Sequence, residues 1–176
     1  MAEESWPKAD ILVTDGPTVA LAVQAADCVP VLMADRRSGA VAAVHAGWRG
    51  TAAGAAPAAV AALAREFGTR PGDLVAAQGP SIGPCCYVVG DELVEAFRAS
   101  GFGREVDRWF ARDETGALRL DLWAANRDQL AACGVPAAAI HGSGLCTANH
   151  PEWFASYRRD GPGTGRIAAV IRARAR

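Results

Sequence analysis

The chain has no long apolar run. None of its hydrophobic stretches reaches the ~18 residues of a membrane-spanning helix, so no membrane partner is expected. It also has no excess of one charge. Lys and Arg number 18 against 19 Asp and Glu, and the formal net charge is −1, which excludes the basic footprint of a nucleic-acid binder. The tail Arg172, Arg174, Arg176 is too short to change that. There is no internal repeat, no low-complexity linker, and no glycine pattern of a dinucleotide or P-loop site. The start, Met1-Ala2-Glu3-Glu4-Ser5, is acidic and lacks the apolar core of a signal peptide. The five cysteines are Cys28, Cys85, Cys86, Cys133 and Cys146, and an odd count without a secretory signal argues against a disulfide scaffold. A reducing, cytoplasmic location is the expectation. Histidine is scarce too: His45, His141 and His150 are all there are.

What is present is a globular composition, with 51% hydrophobic and 21% charged residues in 176 positions, enough for one core. Strands are expected at Asp10 to Val13 and Val19 to Val23, around a turn at Asp15-Gly16-Pro17. More strands follow at Val31 to Ala34, Ala40 to Val44, Leu74 to Ala77, Ala138 to His141 and Ile167 to Ile171. Helices are expected from Thr51 to Phe67, from Asp91 to Ser100, and after Asp121 as N-cap. Gly101 to Gly116, polar around Trp109 and Phe110, reads as a surface excursion. Strands that are alternating in places and continuously apolar in others fit an α+β (mixed α/β) fold, with mixed β-sheets layered with helices.

Three stretches carry chemistry. The first is Val44-His45-Ala46-Gly47-Trp48-Arg49-Gly50, where a strand gives way to a helix. Glycine lets backbone approach a ligand, and Arg49 is a fork-shaped donor suited to phosphate or carboxylate. Asp27-Cys28, between two strands, is a candidate pocket edge or a turn Asp beside a buried Cys. The second stretch is Gly79-Pro80-Ser81-Ile82-Gly83-Pro84-Cys85-Cys86-Tyr87. Two Gly and two Pro stiffen the path to a thiol pair whose members would point to different sides of an extended backbone. A thiolate is both a soft metal ligand and a nucleophile, and both uses stay open. Cys133, at a helix end, reads as a small hydrophobe. The third stretch is Cys146-Thr147-Ala148-Asn149-His150, then Ser156-Tyr157-Arg158-Arg159-Asp160 and Thr164-Gly165-Arg166. Its arginines beside a glycine-rich turn suit an anion such as phosphate.

Together these stretches, with Ala26-Asp27-Cys28-Val29-Pro30-Val31-Leu32, Asp121-Leu122, Asn126 and Gln129-Leu130, resemble the YfiH-type family. Its members, also called laccase-domain or multicopper polyphenol oxidase proteins, are regarded as purine nucleoside phosphorylases with adenosine deaminase activity. The resemblance runs in order over most of the chain. It implies a YfiH-like sandwich, a single domain over 1–176 lacking the family's upstream segment with its Gln-x-His-Gly motif, and a monomer or small homo-oligomer. It implies phosphorolysis of adenosine, inosine, guanosine and methylthioadenosine, with nucleoside and phosphate as small-molecule partners. Asp27, Cys28, Arg49 and Cys85 are the expected catalytic groups, and Trp48, Tyr157, Arg158, Arg159 and Arg166 the substrate- and phosphate-binding ones. The family's pocket metal is usually zinc, with copper also open, bound by His, Cys and His. His45 and Cys85 match the first two ligands. The third has no counterpart in Phe97-Arg98-Ala99-Ser100-Gly101-Phe102, so His150, or else His141, is the expected substitute. Copper-dependent phenol oxidation is the second reading, but three histidines cannot furnish a mononuclear and a trinuclear copper centre. A binding module with a degraded metal site, or thiol hydrolysis through Cys85 and His45, are further alternatives.

Overall fold

The computed structural model describes residues 9–174. Along the chain the strands are β1 (Ile11–Thr14), β2 (Ala20–Ala25), β3 (Val29–Asp35), β4 (Val41–Ala46), β5 (Leu74–Gln78), β6 (Phe110–Arg112), β7 (Leu118–Leu120), β8 (Ile140–Gly142) and β9 (Ile167–Arg172). The helices are α1 (Trp48–Ala52), α2 (Ala55–Phe67), α3 (Asp91–Arg98), α4 (Val106–Trp109), α5 (Leu122–Ala132) and α6 (Tyr157–Asp160). One sheet runs β1-β4-β3-β5-β8, antiparallel except for the parallel β5–β8 pair. The strands on either side of the Asp15-Gly16-Pro17 turn do not pair with each other. β1 pairs with β4, and β2 pairs with β9 at the far end of the chain, from Ala20↔Arg172 to Ala25↔Ile167.

The pleat of β4 explains the layering. Ala42, Val44 and Ala46 pack with Val29, Val31 and Met33 of β3 against Val60 and Leu63 of α2 and Leu122 and Leu130 of α5. Val41 and Ala43 face the other way, onto Leu21 and Val23 of β2, with Ala169 and Ile171 of β9 beside them. Successive side chains alternate across a strand, so β3 and β4, covered on both faces, need continuous apolar sequence. The result is the expected α+β sandwich, with helices on one side of the sheet and the β2–β9 ribbon on the other.

Two expectations need correction. The single helix from Thr51 to Phe67 is broken at Gly54, whose φ of 74° is left-handed and ends one helix before the next begins. Pro57 sits in the first turn of α2, where a backbone N–H has no helical partner to lose. Gly101 to Gly116 is not a surface excursion. Val106 and Trp109 share one face of α4, and Trp109, only 2% exposed, meets Phe97 and Phe102 edge-on at centroid distances of 5.9 and 5.7 Å. Its Nε1 donates to Asp128 at 2.9 Å. One buried indole anchors an otherwise polar segment.

α5 fixes the position of α1, the short helix after β4. Asp121 caps α5, accepting from the Ala124 N–H at 2.9 Å. Asn126 donates to the Thr51 hydroxyl and Gln129 to the Thr51 carbonyl, both at 3.0 Å and both buried. These bonds hold α1, and with it Trp48 and Arg49, against the core. No helix among the described residues is long and apolar enough to cross a membrane.

Asp35 closes the β3–β4 turn. It accepts from the Arg37 and Ser38 N–H groups at 2.7 and 3.1 Å, from the Ser38 hydroxyl at 2.6 Å and from Thr69 at 2.8 Å. Burial acts to raise its pKa, but these bonds outweigh it and hold the carboxyl at about 2, below the ordinary 3.8. A depressed folded pKa stabilises above 3.8, and that stabilisation is lost as pH falls through about 2. Asp35→Asn is therefore expected to lower stability at pH 7 by about 2 kcal/mol. It should also flatten the acid limb of stability against pH in urea unfolding. An unchanged acid limb contradicts this account.

Candidate active site

His45 lies two residues beyond Ala43, on the strand face that packs against the ribbon. The ribbon ends at Ala25 and Ile167. Beyond that end the face is open, and a pocket of about 550 Å³ forms, lined by Gln24, Ala25, Ala26, Asp27, Cys28, His45, Trp48, Arg49, Tyr87, Tyr157, Arg158 and Arg166. A recess of about 240 Å³ shares Cys28, His45, Trp48 and Arg49 with it and extends to Asp10. Eight of the residues singled out in the sequence are thus brought together. Tyr87 was overlooked, although it directly follows the thiol pair. Arg159, Cys85 and His150 do not line the pocket.

Asp27 organises the pocket wall. Its φ of 81° is left-handed, a conformation that short polar residues tolerate better than others. One carboxylate oxygen accepts from the Thr147 hydroxyl at 2.6 Å, the other from the Arg158 N–H at 2.6 Å. Its carbonyl accepts from the Ile82 N–H at 2.9 Å. Both carboxylate oxygens being engaged, Asp27 positions its neighbours.

The pocket is cationic. Arg49 stacks over the Trp48 ring at 4.2 Å, and Arg158 lies over Tyr87 at 5.1 Å while donating to the Val88 carbonyl at 2.6 Å. Arg166 donates to the Thr164 and Gly165 carbonyls. Among the described residues none of these three guanidinium groups has a carboxylate within 4.0 Å. Burial, with Cys28 nearby, pushes the Tyr87 phenol up to about 12, so it stays a neutral donor. Arg159 differs from the other three. Its guanidinium clamps the Thr147, Ala148 and Phe154 carbonyls and pairs with Asp160, so it is a structural brace.

His45 is held as a cation. Its Nδ1 meets Asp10 Oδ1 at 2.9 Å. The adjacent Cys28 sulfur raises its pKa most; burial opposes, Asp10 adds to the rise, and the result is about 9 against the ordinary 6.5. Gly47 makes room for this arrangement, since a Cβ there would lie 2.7 Å from the Cys28 sulfur and 3.9 Å from the imidazole.

The thiol pair does not straddle an extended backbone. The Cys86 and Tyr87 N–H groups both donate to the Gly83 carbonyl at 3.0 Å, a tight turn that brings the sulfurs to one side. Ser81 meanwhile pairs with Cys146 through the Ser81 N–H to Leu145 at 3.2 Å and the Thr147 N–H to Ser81 at 3.0 Å. That zipper brings Cys146 to the same place. Burial opposes ionisation of Cys146, but N–H groups of Gly83, Asn149 and Ala148, with Cys85, bring its pKa below the ordinary thiol value.

The metal set implied by the family resemblance is not gathered. Among the described residues, the His, Cys, Asp or Glu side chains whose donor atoms converge, all within 4.8 Å, are Cys85, Cys86 and Cys146. His150 Nδ1 sits 2.8 Å from the Cys146 carbonyl, and its ring stacks on Trp153 at 5.4 Å. His141 is an exposed residue of β8 paired with Ala77. As placed, His45, Cys85 and His150 do not form a cradle for zinc or copper, whereas the three sulfurs could hold a metal.

A family model described as multi-copper polyphenol oxidoreductase laccase matches residues 1–174. A purine nucleoside phosphorylase of Bacteroides thetaiotaomicron is 44% identical over 163 residues, 92% of this chain and 60% of that protein. Adenosine deaminase RL5, from an unknown prokaryotic organism, is 43% identical over 162 residues, 92% of this chain and 60% of that one. The crystal structure of YlmD from Geobacillus stearothermophilus superposes with a TM-score of 0.87 at 40% identity, covering 96% of this chain and 62% of that chain. The chain thus spans about 60% of the length of these relatives.

A raised folded pKa means that His45 stabilises the fold fully below 6.5 and loses that contribution as pH rises through about 9. In metal-stripped protein the His45 ring resonances should titrate near 9 by NMR. Cys28→Ser should move that midpoint down toward 6.5, and Asp10→Asn should move it less. A midpoint near 6.5 in the unaltered chain would refute the ion-paired arrangement.

Proposed function

The chain belongs to the multi-copper polyphenol oxidoreductase laccase family, and from that premise we propose that its pocket carries out phosphorolysis of purine nucleosides. The supporting observation is the convergence of Arg49, Arg158 and Arg166, free of carboxylate partners among the described residues, on one cavity of about 550 Å³. That size suits a nucleoside with a phosphate. Relatives named purine nucleoside phosphorylase point the same way.

In the reaction a phosphate oxygen attacks the anomeric carbon. The bond from that carbon to the purine nitrogen breaks, and its electron pair leaves with the base, which takes up a proton. The arginines hold the phosphate in attacking position and offset its charge. Trp48 and Tyr157 offer aromatic faces to the base. His45, held as imidazolium by Cys28 and Asp10, places positive charge beside the departing purine. Asp27 acts through Arg158, whose backbone it fixes. His45, Cys85 and His150 are not gathered and so do not fit the family's metal as placed. Adenosine deamination, suggested by the relative RL5, is a second activity to be assayed in the same pocket.

Supplied with inosine and phosphate, the purified chain should release hypoxanthine and ribose 1-phosphate, followed by chromatography. Supplied with adenosine, it is assayed for ammonia. Absence of every product would end this reading. Arg158→Ala is expected to raise KM for phosphate by at least about tenfold, since a charge-assisted hydrogen bond is worth about 1.5–3 kcal/mol. Trp48→Ala should raise KM for the nucleoside while sparing that for phosphate. If both variants shift both constants equally, the assignment of separate phosphate and base regions fails.

A further inference from the structure

We propose that a recess between β8 and α5 binds the lactam edge of a free nucleobase, a ring N–H beside a carbonyl. Gln78 accepts from the N–H and Arg127 donates to the carbonyl. The recess holds about 70 Å³, and its lining includes Gln78, Trp123, Arg127, Gly142 and Ser143. None of these lines the cationic pocket around Arg49 and Arg158. Gly142 of β8 pairs with Gln78 of β5, and Trp123 and Arg127 are neighbours on one face of α5. The walls are thus two strand ends and one helix face.

Gln78 is the residue that points to a ligand. It is 3% exposed. Its Nε2 donates to the Trp123 carbonyl at 3.2 Å, which fixes the orientation of the amide. Its Oε1 is buried and has no hydrogen-bond partner among the described residues. A buried acceptor without a donor is costly, so this oxygen is ready to take an N–H. Arg127 supplies the opposite half. Its side chain is exposed, and among the described residues its guanidinium has no carboxylate within 4.0 Å.

Acceptor and donor meet at Gly142. A Cβ there would lie 3.6 Å from Arg127 Nη2 and 3.8 Å from Gln78 Oε1. The missing side chain leaves both groups side by side over open space. Their complement is a flat group with a carbonyl and an N–H on the same edge. A peptide bond, being trans, does not present that edge. The ring lactams of oxopurines and oxopyrimidines do, and a rigid ring loses little freedom on binding. The recess is small enough to take the edge and leave the rest of the ring outside. Arg127, Gly142 and Ser143 are exposed, so the site opens at the surface and the flexible arginine can give way to an entering ring. This site does not depend on the phosphorolysis reading.

The test is an NMR titration of the isotope-labelled chain with uracil and with hypoxanthine, up to millimolar concentration in phosphate-free buffer. Binding should move the Gln78 side-chain amide signals and the Gly142 and Ser143 N–H signals. A response to either base or to both supports the site and tells which ring it takes. Doubly N-methylated uracil keeps both carbonyls but has no N–H, and should bind about tenfold more weakly or worse, because the Gln78 oxygen then stays unpaired. Gly142→Ala puts a methyl at the meeting point and Arg127→Ala removes the donor, and each should weaken binding by about tenfold or more. Circular dichroism establishes that the variants are folded, and Arg127→Ala, at an exposed side chain, serves if Gly142→Ala is not. No movement with either base, as for a recess that holds only water, would overturn the proposal. So would equal binding of the methylated base, movement confined to Trp48 and Arg49, or unchanged binding in both variants. Phosphorolysis is assayed separately with phosphate present, so failure of one reading is distinguishable from failure of the other.

Discussion

Asp27, through its carboxylate and its backbone carbonyl, ties together the parts of the chain that make the pocket. Its neighbours at hydrogen-bond distance come from the turn before the thiol pair, from the segment after Cys146 and from the start of α6. Those segments are 55 to 131 residues away in sequence. The charge is nearly buried, and a buried carboxylate is tolerated only when donors replace water. Here the donors are a hydroxyl and an N–H group, each at 2.6 Å. Removing either partner would leave charge without solvent, so the loops are held by the cost of separation as much as by attraction.

The sheet determines where the pocket lies. A face covered by a two-stranded ribbon is dry along its length and open where the ribbon stops. His45 is the first polar residue of β4 beyond that cover. α1 then begins at Trp48 and is held by Asn126 and Gln129 through Thr51. Imidazole and guanidinium therefore sit on two regular elements with only Gly47 between them. That arrangement suits a site that works by fixed charge, because reorganisation on substrate arrival is small.

Much of the fold was legible because its signals are local. Continuous apolar runs gave β3, β4 and β5, and Asp121 marked the start of α5 through its short acceptor side chain. The pocket wall was legible in part: His45, Trp48 and Arg49 adjoin in sequence, and Asp27-Cys28 interrupts two strands. Tyr87 was missed because nothing in its neighbours distinguishes a ring that carries an arginine from one that fills a core. The break at Gly54 and the burial of Trp109 were missed because both are decided by tertiary contacts. The partners of Arg159 were illegible for the same reason. Two adjacent arginines look alike, yet one reaches the pocket and the other braces three carbonyls.

Cys85 illustrates how one residue is claimed by competing geometries. Its sulfur is engaged by Asn149, and its turn is held by the Gly83 carbonyl and by Arg119, which donates to the Cys85 carbonyl. Swinging it toward His45 would forfeit the Asn149 contact. The imidazole has equally firm ties to Asp10 and Cys28. Sulfur and imidazole therefore belong to two separate polar clusters, the second cationic and suited to phosphate. A reaction that depends on charge complementarity needs only the second.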